Sequence, residues 1–377
     1  MAKVLKLNSI SPKINEVLDE KYEVSSECLS PDLILVRSAQ MADYEVPESL
    51  IAVGRAGAGV NNIPVKEYAE KGIAVFNAPG ANANAVKELV IAALLLSCRK
   101  IVEGIGWANS LKPGDGEVKT LVEKGKSRFV GGEILGKNLG VIGLGAIGKK
   151  VAVAANALGM TVYGYDPYCG NNDFCKDVAI ANSPDEIYKN CDFITIHVPF
   201  LPDTKGFINE KTISKMKDGV AIINCARGEL VVNSDIIAAV KSGKVSKYFT
   251  DFPTEELLNV ENVVACPHLG ASTPEAEDNC AVMVAKQLKD FYENGNVVNS
   301  VNFPALSKEK NGPRVTVFAN DTPKTESLIA EVANDNNAET AIAKKGATLY
   351  AIIDGIIPER DVERLKTADG ILRVRVL

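Results

Sequence analysis

The chain has 377 residues, of which 46% are hydrophobic and 24% charged, and its net charge is −6. Such a composition favours neither disorder nor membrane residence, and an acidic balance without a basic cluster gives no electrostatic footprint for nucleic acid. At about 150 residues per domain the length predicts two or three domains. The longest apolar run, Val90 to Cys98, falls far short of the roughly 20 residues that a membrane crossing needs and reads as a buried helix. The start, MAKVLKLNSI, lacks the apolar core of a signal peptide, so a cytoplasmic protein without membrane partners is expected. Eight cysteines (Cys28, Cys98, Cys169, Cys175, Cys191, Cys225, Cys266 and Cys280) are scattered without metal-ligand spacing and read as reduced, mostly buried thiols. No metal is expected.

In chain order, the β-rich runs VLKLNSI, LILVRS, LIAVGRAG and GIAVFNAP alternate with helical stretches such as IPVKEYAEKG, the pattern of a parallel sheet covered by helices. From Ala85 a long apolar helix leads to a Gly- and Lys-rich connection, Lys112 to Gly136. A second series follows: NLGVIGLGAIG, TVYGYD, DFITIHVP, GVAIINCARG, KYFTDF and NVVACPH. A helix from about Pro274 to Asn294 then returns to the first series, which makes that lobe discontinuous and predicts a cleft between two α/β lobes. After the loop SKEKNGP, the run RVTVFAN, ESLIAEVANDN, AETAIAK, ATLYAIIDG, PERDVERLKTAD and ILRVRVL has the βαββαβ order of a ferredoxin-like unit. The expected domains are 1–84 with 272–305, 85–271, and 311–377.

GLGAIG, Gly143 to Gly148, matches the G-x-G-x-x-G pattern, which alone is weak. Here it follows a strand, opens an apolar helix and precedes a second strand that ends in Asp166, 23 residues beyond Gly143. Gly143 suits the tight turn, Gly145 the close approach of a pyrophosphate, and Gly148 close helix–strand packing. The helix N-terminus offers free N–H groups to the anion. Asp166 would accept from a ribose diol and repel a 2′-phosphate, so NAD is expected rather than NADP.

Only two histidines occur, and both His197, in ITIHVPF, and His268, in CPHLGAST, sit at predicted carboxyl ends of strands. Spacing does not choose between them. DFPTEE offers Glu255 or Glu256, about thirteen residues before His268, as a carboxylate partner that would raise the imidazole pKa. His197 has Asp192 five positions earlier, but the intervening strand carries that group to its opposite end. Arg227, in NCARGE, is placed to fork onto a carboxylate. A capped core histidine and a surface glutamate are the bland alternatives.

Together, GKNLGVIGLGAIG, ITIHVPFLPDTKGFIN, INCARGELV, TDFPTEE and CPHLGAST make the chain resemble the D-isomer-specific 2-hydroxyacid dehydrogenases, from about Leu33 to Pro304. The resemblance implies a Rossmann NAD lobe, a flavodoxin-like discontinuous substrate lobe, and a homodimer or higher homo-oligomer. It places the catalytic roles on Arg227, Glu255 and His268. By the same matching, Arg37, Ser38, Gly57 and Asn82 fall with Arg227 and His268 on substrate positions, and Arg55 is a further candidate for the substrate. Ala146, Ile147, His197, Val198, Pro199, Cys225, Ala226, Arg227, Asp251, His268 and Gly270 join the three glycines and Asp166 around NAD. The implied reaction is NAD-dependent hydride transfer from C2 of a small-molecule substrate, a phosphorylated 2-hydroxy acid. Arg37, Arg55, Lys119, Lys124, Lys126 and Arg128 are candidate phosphate cations, those of the Lys112 to Gly136 connection in a neighbouring subunit's cleft. Where relatives often carry an acid after the RG pair, this chain has RGELVVNSD, and Asn233 is expected to cap the next helix. The C-terminal unit resembles the ACT regulatory domain, but its loop NDTPKTES lacks the glycine that approaches an effector there. Rival expectations are the same chemistry on another D-2-hydroxy acid such as 2-hydroxyglutarate, and an NAD-sensing interaction protein.

Overall fold

Two parallel sheets and one antiparallel sheet organise the protein. The computed structural model describes residues 1–114, 116–168 and 178–377, so Cys169 and Cys175 lie outside the described residues. By its internal contacts the chain divides into two compact units, Met1–Asn82 with Pro274–Leu377, and Ala83–Thr273.

The first unit opens with β1 (Ala2–Lys6), β2 (Tyr22–Ser25), β3 (Leu33–Val36), β4 (Ala52–Arg55), α1 (Val65–Glu70) and β5 (Ala74–Asn77). Its sheet runs β2-β1-β3-β4-β5, all parallel, which is the flavodoxin-like order expected. β3 is buried along its whole length, as a strand covered on both faces must be. β2 escaped the sequence reading because YEVS has a single fully buried side chain, Tyr22, and no apolar run.

The second unit carries α2 (Ala83–Cys98), α3 (Ile101–Ser110), α4 (Val118–Gly125), β6 (Asn138–Ile142), α5 (Ala146–Ala157), β7 (Thr161–Tyr165), β8 (Val178–Ile180), α6 (Pro184–Asn190), β9 (Phe193–Ile196), α7 (Glu210–Ser214), β10 (Val220–Asn224), α8 (Asn233–Lys241), β11 (Val245–Thr250) and β12 (Val263–Ala265). The seven parallel strands run β12-β11-β10-β9-β6-β7-β8. The order reverses between β6 and β9, the switch point at which doubly wound sheets bind ligands. The connection expected from Lys112 onward contains α4, and α3 precedes it. Lys247 of β11, 4% exposed, is ion-paired to Glu103 and ties α3 to the sheet.

The chain then forms α9 (Pro274–Asn294), β13 (Arg314–Asn320), α10 (Pro323–Asp335), β14 (Glu339–Lys345), β15 (Thr348–Asp354), α11 (Glu359–Lys366) and β16 (Ile371–Val376). The antiparallel order β14-β15-β13-β16 gives the βαββαβ chain the ferredoxin-like topology read from sequence. By contacts this sheet, expected as a domain at 311–377, groups with the first unit, and its two faces serve two cores. Side chains of a strand alternate between faces. Val315, Val317, Ala319, Leu349, Ala351 and Ile353 form one core with α10 and α11. Phe318, Tyr350 and Ile352 instead join the core of the first sheet, with Phe76, Phe291 and Phe303. The Phe318 ring lies 4.6 Å from those of Phe303 and Tyr350 and 5.9 Å from that of Phe291.

Polar contacts reinforce that seam. Arg314 is fully buried and donates to Asp354 Oδ1 (2.6 Å) and to the carbonyls of Asn294 (2.6 Å), Lys308 (3.2 Å) and Glu309 (2.8 Å). Arg375 donates to the Phe291 and Tyr292 carbonyls at 3.0 and 2.8 Å and stacks over the Phe291 ring. The loop after β13 is closed on itself: Thr322 caps α10, and Lys344 pairs with Asp321 and Glu326.

Candidate active site

The glycine-rich loop lies between β6 and α5, at the switch point. Gly143 has φ +95°, a conformation that L side chains rarely adopt, and a Cβ there would meet the His197 carbonyl at 2.6 Å. A Cβ on Gly148 would fall 1.9 Å from the Gly143 oxygen, whereas one on Gly145 would meet nothing within 4 Å. Open space at Gly145, in front of the helix N-terminus opened by Ala146 and Ile147, is what a diphosphate requires. Asp166, just past β7, accepts from the Leu144 amide (2.8 Å) and the Tyr168 amide (2.9 Å). Its carboxylate therefore holds the loop in shape, with lone pairs left for a diol.

The other expected cofactor positions share this sheet edge: His197, Val198 and Pro199 follow β9, Cys225 and Ala226 follow β10, Asp251 follows β11, and His268 and Gly270 follow β12. The histidines are distinguished by environment. The His197 ring bonds Thr195 Oγ1 at 3.0 Å, its Nδ1 is buried without a partner, and burial pushes its pKa down to about 4. It is a neutral group at physiological pH. A base whose folded pKa is depressed adds stability above its unfolded value of about 6.5, and that stability is lost as pH falls toward 4. The urea midpoint is accordingly expected to drop between pH 6.5 and 4 and to depend less on pH in this window in a His197→Gln variant.

His268 is exposed, and its ring packs against Phe252 at 4.6 Å. It helps line a cavity of about 660 Å³ with Glu229, Asn233, Tyr248, Asp251 and Phe252, entirely within the second unit. The carboxylate beneath this group is Asp251, fully buried, neither oxygen of which accepts a hydrogen bond. Burial pushes its pKa up, while the charges of His268 and Arg227 pull it down, and the Gly270 amide acts in the same sense from outside hydrogen-bond geometry. Arg227 forms no ion pair among the described residues, and its guanidinium donates to the Ala226 carbonyl. The sequence reading missed Asn224, which fastens the Arg227 turn: its amide donates to the Arg227 carbonyl at 2.8 Å, and its oxygen accepts from the Ala226 N–H at 3.1 Å. One polar residue ending the apolar run VAIIN was the available signal.

Glu255 and Glu256 are both exposed. Among the described residues no hydrogen bond or ion pair joins either to His268, so the expected pairing is not made in this structure, and the acid on which the charge of His268 acts is Asp251. Asn233 does not cap α8: Val232 occupies the cap, and the Asn233 amide donates to Thr254 Oγ1 at 3.1 Å. Of the six described cysteines, Cys191, Cys225 and Cys280 are buried while Cys28, Cys98 and Cys266 are partly exposed, fewer buried than expected. Lys126 is paired with Glu123, and Arg128 lies 4.9 Å over the Trp107 ring; Lys119 and Lys124 share their surface with Glu117 and Glu123.

In the first unit, Arg37 and Ser38 follow β3, Arg55 ends β4, Gly57 follows it, and Asn82 closes the unit's first segment. Asn8, which the sequence reading passed over, accepts from the Arg37 amide at 2.9 Å and donates to Ser38 Oγ at 3.0 Å. Among the described residues no group of three His, Cys, Asp or Glu could hold a metal, and no helix is long and apolar enough to cross a membrane.

Residues 92–270 match the family profile described as "D-isomer specific 2-hydroxyacid dehydrogenase, NAD binding domain". The chain is 36% identical over 329 residues to D-3-phosphoglycerate dehydrogenase of Pongo abelii, covering 81% of this chain and 60% of that protein. It is 39% identical over 291 residues to hydroxypyruvate reductase of Thermotoga maritima, covering 71% of this chain and 90% of that protein. Among solved structures, NAD+-bound 3-phosphoglycerate dehydrogenase of Entamoeba histolytica superposes with a TM-score of 0.63 at 27% identity, over 80% of this chain and 98% of that one. The chain thus spans about three fifths of the length of the first relative.

Proposed function

The chain belongs to the D-isomer-specific 2-hydroxyacid dehydrogenase family, and we propose that it is an NAD-dependent oxidoreductase acting on D-3-phosphoglycerate to give 3-phosphohydroxypyruvate, the reaction that opens serine synthesis. One observation supports the reading: the charges of Arg227 and His268 both act on the buried Asp251, and the three residues follow strand ends at the sheet edge that also holds the glycine loop. The relatives named phosphoglycerate dehydrogenase support the substrate.

NAD, when bound, supplies the hydride acceptor. Gly145, Ala146 and Ile147 would present backbone N–H groups to its diphosphate, and Asp166 would take its ribose diol. Arg227 offers a planar fork to the substrate carboxylate and polarises the carbon beside it. His268 takes the hydroxyl proton in oxidation and returns it in reduction. Asp251 lies buried at the same site, and Glu255 is assigned to hold the ring once it is charged. Arg37, Ser38, Arg55, Gly57 and Asn82 are assigned to the substrate.

Asp166→Ala removes both the ribose acceptor and the tether on Leu144. It is expected to raise the dissociation constant of NADH by about ten-fold or more and to narrow the preference over NADPH, read by nicotinamide fluorescence titration. The likeness to a hydroxypyruvate reductase over 90% of that protein favours a second reading, the same chemistry on another D-2-hydroxy acid. Initial rates over a panel of D-2-hydroxy acids and 2-keto acids with both cofactors separate the two. Highest kcat/KM on an unphosphorylated acid would replace the first reading with the second, and NAD binding without turnover of any acid would favour an NAD-sensing interaction protein.

A further inference from the structure

Arg37 and Arg55 extend from the ends of adjacent parallel strands, with Val36 and Arg55 in register. Arg55 donates through Nε to the Arg37 carbonyl at 3.0 Å. Its guanidinium lies over Gly57, where a Cβ would fall 1.8 Å from Nη1 and push the end of the arginine aside. Burial pushes the Cys280 thiol up in pKa, and the positive charges of Arg55 and Arg37 and the negative charge of Glu277 also act on it. The two cations and one carboxylate therefore occupy a single locality of the first unit.

The carboxylate is specifically directed. Glu277, in the first turns of α9, places Oε1 2.7 Å from Arg37 Nη2 with both side chains partly exposed, at 40% and 33%. Its neighbour Asp278 points elsewhere, bonded to Ser11 and ion-paired with Lys13 at 3.1 Å. The backbone of Arg37 is already fixed by Asn8 on one side and Arg55 on the other. Glu277 is not needed to place that stretch of chain. What it does is occupy the guanidinium. A guanidinium at this position suits a phosphoryl group, and the Glu277 carboxylate offsets the charge of Arg37.

We propose that Glu277 is a specificity-determining residue that competes with the anionic end of the substrate for Arg37, and so weakens binding of phosphorylated hydroxy acids relative to singly charged ones. The proposal rests on the assignment of Arg37 and Arg55 to the substrate. A phosphoryl dianion must displace the carboxylate from Arg37 or bind beside it against like charge, whereas a singly charged hydroxy acid places its only anion on Arg227 and brings none to this arginine.

The test compares wild type, Glu277→Gln and Glu277→Asp on D-3-phosphoglycerate and on D-glycerate, which lacks the phosphoryl group. In Glu277→Gln the ratio of kcat/KM for phosphoglycerate to that for glycerate is expected to rise about ten-fold, the size of one partly screened like-charge contact, with the change in KM rather than kcat. Glu277→Asp keeps the charge and is expected to stay nearer the wild-type ratio. Calorimetric titration of phosphoglycerate into each protein in the presence of NADH reads the same shift without turnover. Tighter binding in Glu277→Gln together with no turnover in wild type would sustain the competition and remove the functional reading. Unchanged or weaker phosphoglycerate binding in Glu277→Gln overturns the proposal, weaker binding meaning that Glu277 serves only to hold the arginine.

Discussion

Replacing His268 with alanine is expected to lower kcat at least about 100-fold, because a positioned general acid–base typically contributes 10²–10⁴-fold. NADH binding should persist in the variant, since the glycine loop and Asp166 are held by contacts that do not involve this side chain. The other histidine offers no substitute. Its ring is engaged by Thr195, and burial holds it neutral far below the pH at which a base for a hydroxyl proton would work. His268 by contrast lines the cavity together with the buried Asp251. Single-turnover rates and NADH fluorescence titration on one preparation separate chemistry from binding. Near-normal turnover in His268→Ala would remove the residue from the mechanism.

Arg314→Ala is expected to destabilise the first unit by about 3–5 kcal/mol, the range found when one partner of a buried ion pair is removed. Truncation strips a fully buried guanidinium from Asp354 and from three backbone carbonyls. Lys308 remains near Asp354 at 3.0 Å and keeps that carboxylate from being left wholly alone. Arg314→Met fills much of the volume without donating, so the difference between the two variants divides packing from hydrogen bonding. Urea denaturation followed by tyrosine fluorescence gives both values. A change below about 1 kcal/mol would mean that the antiparallel sheet hangs loosely on the unit.

Most of the architecture was legible because its signals are local. Alternating strand and helix patterns, the glycine loop, and a helix over Pro274–Asn294 all depend on periodicity and short-range turn chemistry. What stayed hidden depends on distance in sequence. The runs RVTVFAN and TLYAIID are buried at nearly every position, as strands covered on both faces are, and one of those faces is supplied by Phe291 and Phe303. No pattern inside residues 311–377 names those partners, and so an independent domain was expected. The same holds at the site. Arg227 and His268 announce themselves by residue type, whereas the burial of Asp251 without a hydrogen bond, the Asn224 staple and the Arg37–Glu277 pair are properties of packing. The Glu255–His268 pairing, drawn from resemblance, is absent from a structure in which both side chains are exposed.

The most direct test of the central claim follows the transferred hydrogen. D-3-Phosphoglycerate carrying deuterium at C2 is incubated with the protein and NAD, a ketone trap draws the reaction forward, and the reduced cofactor is analysed by mass spectrometry. One deuterium per NADH formed is the expected result. Unlabelled NADH, or none while NAD is bound, would contradict hydride transfer from C2 of this acid.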